Sequence, residues 1–417
     1  MKLYGPFTQL LTLDGLPLAG ALRDAQLRVI DNAGVLVDGA LNSGGNIVAV
    51  GNFEQLRTDH PELKVHEIKT PTVCLPGLID CHTHLCWAGS RAQDFALRNA
   101  GLSYLEMAES GGGIRSTVEH TRAASDEELS RNIMTRLHEL QRQGITTAEC
   151  KSGYGLTVEE ELRHLRLIRA AAQAVGGVDV RLTCLAAHVC PSEFEGDAAG
   201  YLRHLEEELL PVLAEAGAHT DVVRIDAFAE PSTFWGESLE RYLRAAKQAG
   251  LPLTLHADQF TPGGAALACR LGAQSADHLE HADASSIKAF AASAKTDSPT
   301  VAVALPGASL GLGEPYTPAR KLLDAGAVLA IASDWNPGSA PQGQLLSQAT
   351  ILAASQKLSN AELLAGLTYR AAAALGFSDR GRLAVGQRAD VSLWPGTDYR
   401  EITWCMGRMQ PVLPSSL

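Results

Sequence analysis

The stretch that decides the fold lies at residues 73–85, where the sequence reads VCLPGLIDCHTHL. An apolar run ends here in His82 and His84, with Asp80 two residues before the first histidine. In a β-strand, side chains at positions i and i+2 point to the same side. Two imidazoles and a carboxylate on one side of a strand end indicate a divalent-metal site that uses neutral ring nitrogens. A His-x-His pair also arises by chance, so this interpretation needs support from the rest of the chain.

The composition narrows the class of protein. The chain has 417 residues and a net charge of −12, with 46% hydrophobic and 20% charged residues. This length predicts one large domain plus a smaller one. The negative charge and the lack of a Lys/Arg run argue against nucleic-acid and membrane partners and favour a small molecule. With no signal peptide, no long apolar stretch and no CxxC pair among the cysteines, we expect a cytoplasmic protein with reduced thiols.

Eight apolar, β-branched runs follow one another from residue 73 onward, separated by amphipathic stretches. This alternation is typical of βα units around a parallel sheet, and a series of eight predicts an α/β fold with a (β/α)8 TIM-like barrel. Ser125, Thr157 and Ser359 each precede a Glu by three residues and mark helix starts. The predicted strands are 73–85, 144–152, 178–188, 221–230, 251–258, 275–281, 300–308 and 328–334.

The two ends of the chain do not follow this rhythm. Residues 1–70 contain short apolar runs at 27–30, 35–37 and 47–50 that are broken by glycines and predict a β meander. The tail from residue 381 has the same character, with runs at 391–394 and 402–406. Since neither end has enough apolar surface to fold alone, we expect them to pair into one small β-sandwich domain. The predicted division is 1–70 and 381–417 for this domain, and 71–380 for the barrel.

Polar side chains stand where the later apolar runs end. In a barrel the C-terminal ends of the strands converge on one mouth, and active sites are built there. Their convergence with the first histidine pair predicts an active site at that mouth. These residues are His188, Glu230, His256, His278 and Asp334.

Several motifs of the chain resemble the amidohydrolase superfamily and, within it, the imidazolonepropionase family. The superfamily motifs are PGLID at 76–80 before the histidine pair, and GRL at 381–383 with Gly386 and AD at 389–390. The narrower resemblance covers nearly the whole chain. It is carried by GGGI at 111–114, ST at 116–117, KSGYGL at 151–156, HADQ at 256–259, SADHLE at 275–280 and NPG at 336–338.

Position by position, the resemblance implies one metal and a substrate pocket beside it. The implied ligands are His82, His84, His256 and Asp334, a set that suits one Zn²⁺ or Fe ion per chain. His278 matches the histidine near the metal-bound water. Gln259 stands where some relatives carry Glu, which puts a charged contact there in doubt. The implied substrate contacts are Arg91, Tyr104, Tyr154, His188, Gln259, Asn336, Gly338 and Ser339.

The substrate that the resemblance implies is 4-imidazolone-5-propanoate, a cyclic amide with a carboxylate tail that arises in histidine degradation. A metal-bound hydroxide attacks the ring carbonyl, Asp334 acts as base and then as acid, and His278 assists. Breaking the ring C–N bond gives N-formimidoyl-L-glutamate. Arg91 offers a planar fork that suits the carboxylate tail.

Other interpretations of the same motifs stay open. Lys151 resembles the bridging lysine of two-metal relatives, but it belongs to the second predicted strand rather than the fourth, which favours one metal. An aminohydrolase that deaminates a purine or pyrimidine is the alternative enzyme, although Arg91 does not suit a neutral base. A non-catalytic assembly protein is disfavoured because every ligand position is filled. The sequence does not fix the oligomeric state, with a homodimer among the alternatives.

Overall fold

The computed structural model describes residues 1–101, 112–217 and 223–413, which form a barrel and a small β domain beside it. The strands, numbered along the chain, are β1 (Lys2–Leu11), β2 (Val29–Asp38), β3 (Asn46–Asn52), β4 (Lys64–Glu67), β5 (Thr72–Pro76), β6 (Leu78–Asp80), β7 (Ile145–Lys151), β8 (Asp179–Ala187), β9 (Arg224–Ala229), β10 (Thr254–Ala257), β11 (Ser275–His278), β12 (Val301–Ala304), β13 (Leu329–Ile331) and β14 (Val391–Pro395).

The barrel consists of β6 to β13, which are parallel and pair in chain order. Backbone hydrogen bonds join the segments that follow its first and last strands. The Asp334 N–H donates to the His82 carbonyl at 3.1 Å, and the His84 N–H donates to the Trp335 carbonyl at 2.9 Å. The predicted (β/α)8 barrel is confirmed, and its closing segments carry three of the predicted metal ligands.

The small β domain is a mixed sheet with the strand order β14-β5-β1-β2-β3, and β4 pairs with another part of β1. An antiparallel bridge between Asn46 and Arg388 joins the two ends of the chain as predicted, while β14 itself runs antiparallel to β5, just beyond residues 1–70. The prediction of a single barrel strand over 73–85 is wrong, because Gly77 separates β5 in the small sheet from β6 in the barrel. A Cβ at Gly77 would lie 2.1 Å from Thr146 Oγ1, so this crossing requires glycine. The division of the chain at residues 70 and 380 stays a prediction.

Helices join the barrel strands and cover their outer side. The predicted N-caps are confirmed, since the side chains of Ser125, Thr157 and Ser359 each accept from the N–H three residues on. The helices are Phe53–Asp59, Ala92–Asn99, Ile114–Ala123, Asp126–Arg142, Val158–Val175, Ala198–His204, Leu210–Gly217, Gly236–Gln248, Gly264–Leu271, Ala284–Ser293, Pro306–Leu312, Ala319–Asp324, Leu345–Gln356, Asn360–Gly366, Tyr369–Ala374 and Arg400–Trp404.

Two sequence predictions fail at helices. The strand predicted over 300–308 is too long, because Pro306 starts the helix Pro306–Leu312 and its ring suits the first helical turn. The extended run predicted at 402–406 overlaps the helix Arg400–Trp404. The Asp398 side chain accepts from the Arg400 N–H at 2.9 Å and favours that helical turn.

The small domain has an apolar cluster of its own, and the cluster of the barrel extends to Leu11, Val73 and Trp394 of the small sheet. Leucine, isoleucine and alanine side chains pack between the barrel and its helices, whereas Tyr4, Phe7, Leu10, Val35 and Leu393 pack inside the small domain. The described parts of the chain contain no helix with the length and apolar character needed to cross a membrane.

Candidate active site

The carboxyl ends of the barrel strands bring the predicted metal ligands together. His82 and His84 follow β6, His256 lies in β10, and Asp334 follows β13. The ligand atoms of His82, His84 and His256 lie within 4.8 Å of one another, and so do those of His82, His278 and Asp334. All five side chains are buried. The mouth of the barrel therefore holds a closed cluster of ring nitrogens and one carboxylate.

The spacing of this cluster fits a divalent ion. Asp334 Oδ1 lies 3.5 Å from His82 Nε2 and 3.4 Å from His84 Nε2. Ligand atoms held about 2.0–2.1 Å from a tetrahedral ion lie roughly 3.3 Å apart. His82 Nε2 is buried and has no hydrogen-bond partner among the described residues. A buried polar atom without a partner is costly, and a cation between the ring and the carboxylate relieves that cost.

Two buried carboxylates lie behind the histidine rings. Asp277 Oδ2 is 2.7 Å from His82 Nδ1, and Asp226 Oδ2 is 3.0 Å from His256 Nδ1. A carboxylate beside one ring nitrogen fixes the tautomer and directs the other nitrogen to the metal. Nε2 is thus the nitrogen that both rings offer to the cluster.

Burial keeps three histidines of the mouth uncharged. It lowers the pKa of His84, takes the pKa of His256 well below its ordinary value, and lowers the pKa of His188 to about 3. At neutral pH these rings therefore keep a free lone pair, which metal binding and hydrogen-bond acceptance both require.

His82 and Asp334 are electrostatically coupled. Burial and Lys151 disfavour a charged His82, but the carboxylates of Asp277 and Asp334 beside its ring outweigh them and raise its pKa to about 9. The pKa of Asp334 is well below its usual range, because the neighbouring rings of His82 and His84 outweigh burial. Asp334 is therefore a carboxylate at neutral pH.

Both predicted catalytic residues have left-handed backbone conformations. The φ angle is 84° at His278, 69° at Leu279 and 51° at Asp334. Such conformations cost about 1–3 kcal/mol each outside glycine and persist only where the surroundings enforce them. Thr317 Oγ1 donates to the His278 carbonyl at 2.5 Å and holds the first of these turns.

Arg91 precedes the helix Ala92–Asn99 at the same mouth. Its Nε donates to the Asp94 carboxylate, and its Nη1 donates to Thr117 Oγ1 at 3.3 Å. Asp94 also accepts from the Gly113 N–H at 2.8 Å. These bonds fix the guanidinium plane, and within the described chain they leave Nη2 without a hydrogen bond.

The loop after β13 is organised by Asn336. Its Nδ2 donates to the Asp334 carbonyl at 2.6 Å and to Ser339 Oγ at 2.9 Å, while its Oδ1 accepts from the Gly338 and Ser339 N–H groups. Ser339 Oγ in turn donates to Asp334 Oδ2 at 3.2 Å. The Asn336 amide is fully engaged by the protein, so it shapes the loop around Asp334.

The rings of Tyr154 and His188 lie beside the ring of His84. The ring centroid of His84 is 6.0 Å from that of Tyr154 and 5.5 Å from that of His188. His188 Nδ1 donates to the Gly153 carbonyl at 2.9 Å. The Nε2 atom of this neutral ring is consequently an acceptor.

Three predicted residues remain: Gln259, Glu230 and Tyr104. Gln259 is buried just beyond β10, and no hydrogen bond of its side chain is found within the described ranges. Glu230 accepts from the N–H groups of Phe260 at 2.9 Å and Thr261 at 3.3 Å, so it holds the turn after Gln259. Tyr104 lies outside the described residues.

A cavity of about 770 Å³ adjoins the cluster. Arg91, Gly338 and Ser339 line it together with Trp87, Phe95 and Leu310, whereas the candidate metal ligands do not. Three of the predicted substrate contacts therefore border this cavity.

The family model of the amidohydrolase family matches residues 73–409. The chain is 45% identical over 396 residues to the imidazolonepropionase of Rubrobacter xylanophilus, covering 94% of this chain and 91% of that relative. It is 41% identical over 393 residues to the imidazolonepropionase of Paracoccus denitrificans, covering 93% and 96%. The chain belongs to the imidazolonepropionase family of amidohydrolases.

Solved structures share the fold of this amidohydrolase at lower identity. An atrazine chlorohydrolase from Arthrobacter aurescens, complexed with zinc, has a TM-score of 0.65 at 20% identity, covering 95% of this chain and 88% of its own. Guanine deaminase from C. acetobutylicum, with bound guanine, has a TM-score of 0.64 at 14% identity, covering 94% and 90%. At these identities the likeness shows the fold alone.

Family membership and the His/Asp cluster together indicate a divalent-metal enzyme with a small-molecule substrate. Sequence reasoning did not assign a role to the residues behind the ligands, Asp226, Asp277 and Thr317. Asp277 lies in the SADHLE motif, directly before the strand-end His278, and this position could have indicated a role at the site. Asp226 and Thr317 gave no comparable signal, because neither stands next to a histidine in the sequence.

Proposed function

We propose that this chain hydrolyses the ring amide of 4-imidazolone-5-propanoate to N-formimidoyl-L-glutamate, a step of histidine degradation. The supporting observation is that a His/Asp cluster and the fixed guanidinium of Arg91 lie at one barrel mouth. They do so in a chain 41–45% identical over most of its length to enzymes named for this reaction.

The proposed metal is one zinc or iron ion per chain, held by His82, His84, His256 and Asp334. Three ring nitrogens and one carboxylate suit Zn²⁺ and are acceptable to iron, and binding of the ion would displace the proton that His82 otherwise carries at neutral pH. When bound, a divalent ion lowers the pKa of a coordinated water to about 7, which makes hydroxide available at neutral pH.

The protein moves the protons in this proposal. Asp334 takes the proton of the attacking water, since it is a carboxylate at neutral pH and lies beside the histidine rings. His278 stabilises the negative charge that develops on the ring carbonyl oxygen. Asp334 then gives its proton to the departing ring nitrogen as the C–N bond breaks. One water is added, and no fragment leaves.

The substrate tail and ring have separate partners. Arg91 pairs with the propionate through the edge of its fork that the protein leaves free. Tyr104, Tyr154, His188 and Gln259 are the proposed contacts of the ring and tail. Gly338 and Ser339 complete the pocket. Asn336 acts by shaping that loop, because its amide is already engaged.

Several further predictions from the sequence accompany this function. They are a cytoplasmic location, the absence of nucleic-acid and membrane partners, and the division of the chain into 1–70, 71–380 and 381–417, with a homodimer as one alternative for the oligomeric state.

The test follows the purified protein with freshly prepared imidazolone propanoate by mass spectrometry and an ammonia assay, with elemental analysis alongside. We expect a product heavier by one water, no ammonia, and one metal per active chain. Stoichiometric ammonia from a purine or pyrimidine, without turnover of the imidazolone, would establish the deaminase alternative. Two tightly bound metals per active chain would exclude the mononuclear site.

A further inference from the structure

The barrel interior beneath the candidate metal ligands is filled with charged side chains that the proposed reaction does not use. They are fully buried and come from three different strands. Arg224 begins β9, with Nη1 3.1 Å from Glu149 Oε1 and Nη2 donating to the Ala374 carbonyl at 3.1 Å. The set comprises Glu149, Lys151, Arg224, Asp226 and Asp277.

Lys151 lies at the centre of this set. Its Nζ is 2.8 Å from Glu149 Oε1, 2.8 Å from Asp226 Oδ2 and 4.0 Å from Asp277 Oδ2. Burial disfavours its charge, but Asp226 and Glu149 outweigh burial and raise its pKa, so it is an ammonium ion at neutral pH. The ammonium thus lies between the two carboxylates that face the metal-ligand histidines.

Each of these carboxylates places one oxygen near both Lys151 and a histidine ring. The same oxygen, Asp226 Oδ2, is near both Lys151 Nζ and His256 Nδ1. Likewise, Asp277 Oδ2 is near both Lys151 Nζ and His82 Nδ1. Thr254 Oγ1 also donates to Asp277 Oδ2 at 3.2 Å. Two neighbouring buried carboxylates repel each other, and a cation between them favours the charged form of both.

We propose that Lys151 is a positioning residue for the metal centre: it holds Asp226 and Asp277 against His256 and His82, so that both rings present Nε2 to the metal. This inference rests on the proposed metal site. It assigns Lys151 a role distinct from that of a bridging ligand, since its ammonium is already surrounded by carboxylates.

The inference can be tested by the direction in which cation affinity changes when the charge of Lys151 is removed. If Lys151 acted only as a nearby positive charge, its removal would strengthen cation binding. If it positions the carboxylates, its removal weakens cation binding, because the rings lose their fixed orientation. Loss of an outer partner of a ligand typically lowers metal affinity 10- to 100-fold.

The experiment measures Zn²⁺ affinity of the full chain by competition with a chromophoric chelator. It compares wild type with Lys151→Met, which keeps the length of the side chain and removes its charge. Lys247→Met is the matched control, because it removes the same charge from an outer helix, where Lys247 Nζ donates to the Leu271 carbonyl at 2.6 Å and contacts no member of the set. Thermal unfolding of the metal-free forms checks folding, and the visible spectrum of the Co²⁺-loaded forms reports ligand geometry.

We expect Lys151→Met to bind Zn²⁺ roughly 10-fold more weakly, the lower end of the range because Lys151 is one contact further from the metal, and to change the Co²⁺ spectrum. Lys247→Met should stay within about threefold of wild type. Equal or tighter binding by Lys151→Met overturns the inference while the proposed site stands. A wild type that binds no Zn²⁺ overturns both.

A second pair of variants covers the case in which Lys151→Met does not fold. Asp226→Asn is compared with Lys151→Met/Asp226→Asn, in which both members of the closest ion pair are neutral. The inference expects weaker Zn²⁺ binding by the double variant, because the contact to Asp277 is also lost. Equal or tighter binding by the double variant overturns it.

Discussion

The interior of the barrel and the interior of the small β domain are both closed to solvent, but they are filled differently. Tyr4, Phe7 and Leu10 fill the small domain with apolar surface. At the same burial, the barrel holds Lys151, Asp226 and other charged groups that lead up to the mouth. Burial of apolar area stabilises a fold directly, whereas a buried ion pair contributes little net stability after desolvation.

This difference separates the regions that stabilise the molecule from the region that performs its chemistry. Breaking a buried ion pair leaves an uncompensated charge, so the barrel interior tolerates little change even though it adds little stability. Substitutions in the barrel mouth should therefore alter metal binding and turnover, and substitutions in the small domain should alter unfolding. Each prediction below tests this separation.

The largest effect is expected for Asp334→Asn. Asparagine tolerates the left-handed φ of 51° at this position and keeps the shape of the side chain, but it is no proton acceptor. We expect kcat to fall by about 10²- to 10⁴-fold with a much smaller change in KM. Steady-state kinetics with metal analysis of the same sample measure this. Near wild-type kcat with full metal content would show that another group takes the proton, with His278 the first to examine.

Phe7→Ala tests whether the apolar core of the small domain affects stability without affecting metal binding. Phe7 is fully buried in the small domain, and its truncation leaves a cavity there. We expect the free energy of unfolding in urea to fall by about 3–5 kcal/mol, with Zn²⁺ affinity and kcat/KM unchanged at a temperature where the variant is folded. A large loss of metal affinity in the folded variant would show that the two regions are coupled.

The barrel and the small β domain were predictable because both depend on the spacing of apolar residues and on the number of strand-like runs, which can be read locally in a sequence. The first strand was misjudged because nothing in an apolar run shows that it changes sheets, and the crossing at Gly77 depends on the distant Thr146. Likewise, 402–406 is apolar in the sequence, but Trp404 is exposed on a short helix.

The candidate site was predictable where a residue type and a strand end coincide, as at His82, His256 and Asp334. The supporting residues were not, because each acts through a contact with a residue on another strand or loop. Asp226 is near His256, and Thr317 reaches the His278 carbonyl from a different loop. Such pairings depend on barrel register, which a single sequence does not specify.

A moderate effect is expected for Arg91→Ala, which removes one charged group from the mouth without touching the metal ligands. A charge-assisted pair is worth about 1.5–3 kcal/mol, so kcat/KM for the imidazolone with its propionate tail should fall roughly 10- to 150-fold. An imidazolone without the tail should be much less affected. Arg115→Ala, at an exposed ion pair, is the control and should leave both substrates unchanged. Equal losses on both substrates would mean that Arg91 only supports the fold.

The smallest effect is expected at His164, a buried histidine outside the mouth, on the helix Val158–Val175. Its ring nitrogens have no hydrogen-bond partner in the described chain, and Nε2 lies 3.6 Å from Glu160 Oε2. Burial lowers its pKa to about 4, so between pH 6.5 and 4 the unfolded chain binds a proton that the folded chain does not. Stability therefore falls as the pH falls through this window, by about 2 kcal/mol at pH 5 from this group.

In His164→Leu this loss is absent, so urea unfolding at pH 7.5 and pH 5 should show the variant losing about 2 kcal/mol less than wild type. If the free energy of unfolding of the variant and of wild type depended on pH in the same way, the folded protein would bind a proton at His164 as readily as the unfolded chain does. Burial alone would then not lower the pKa of a histidine in this protein.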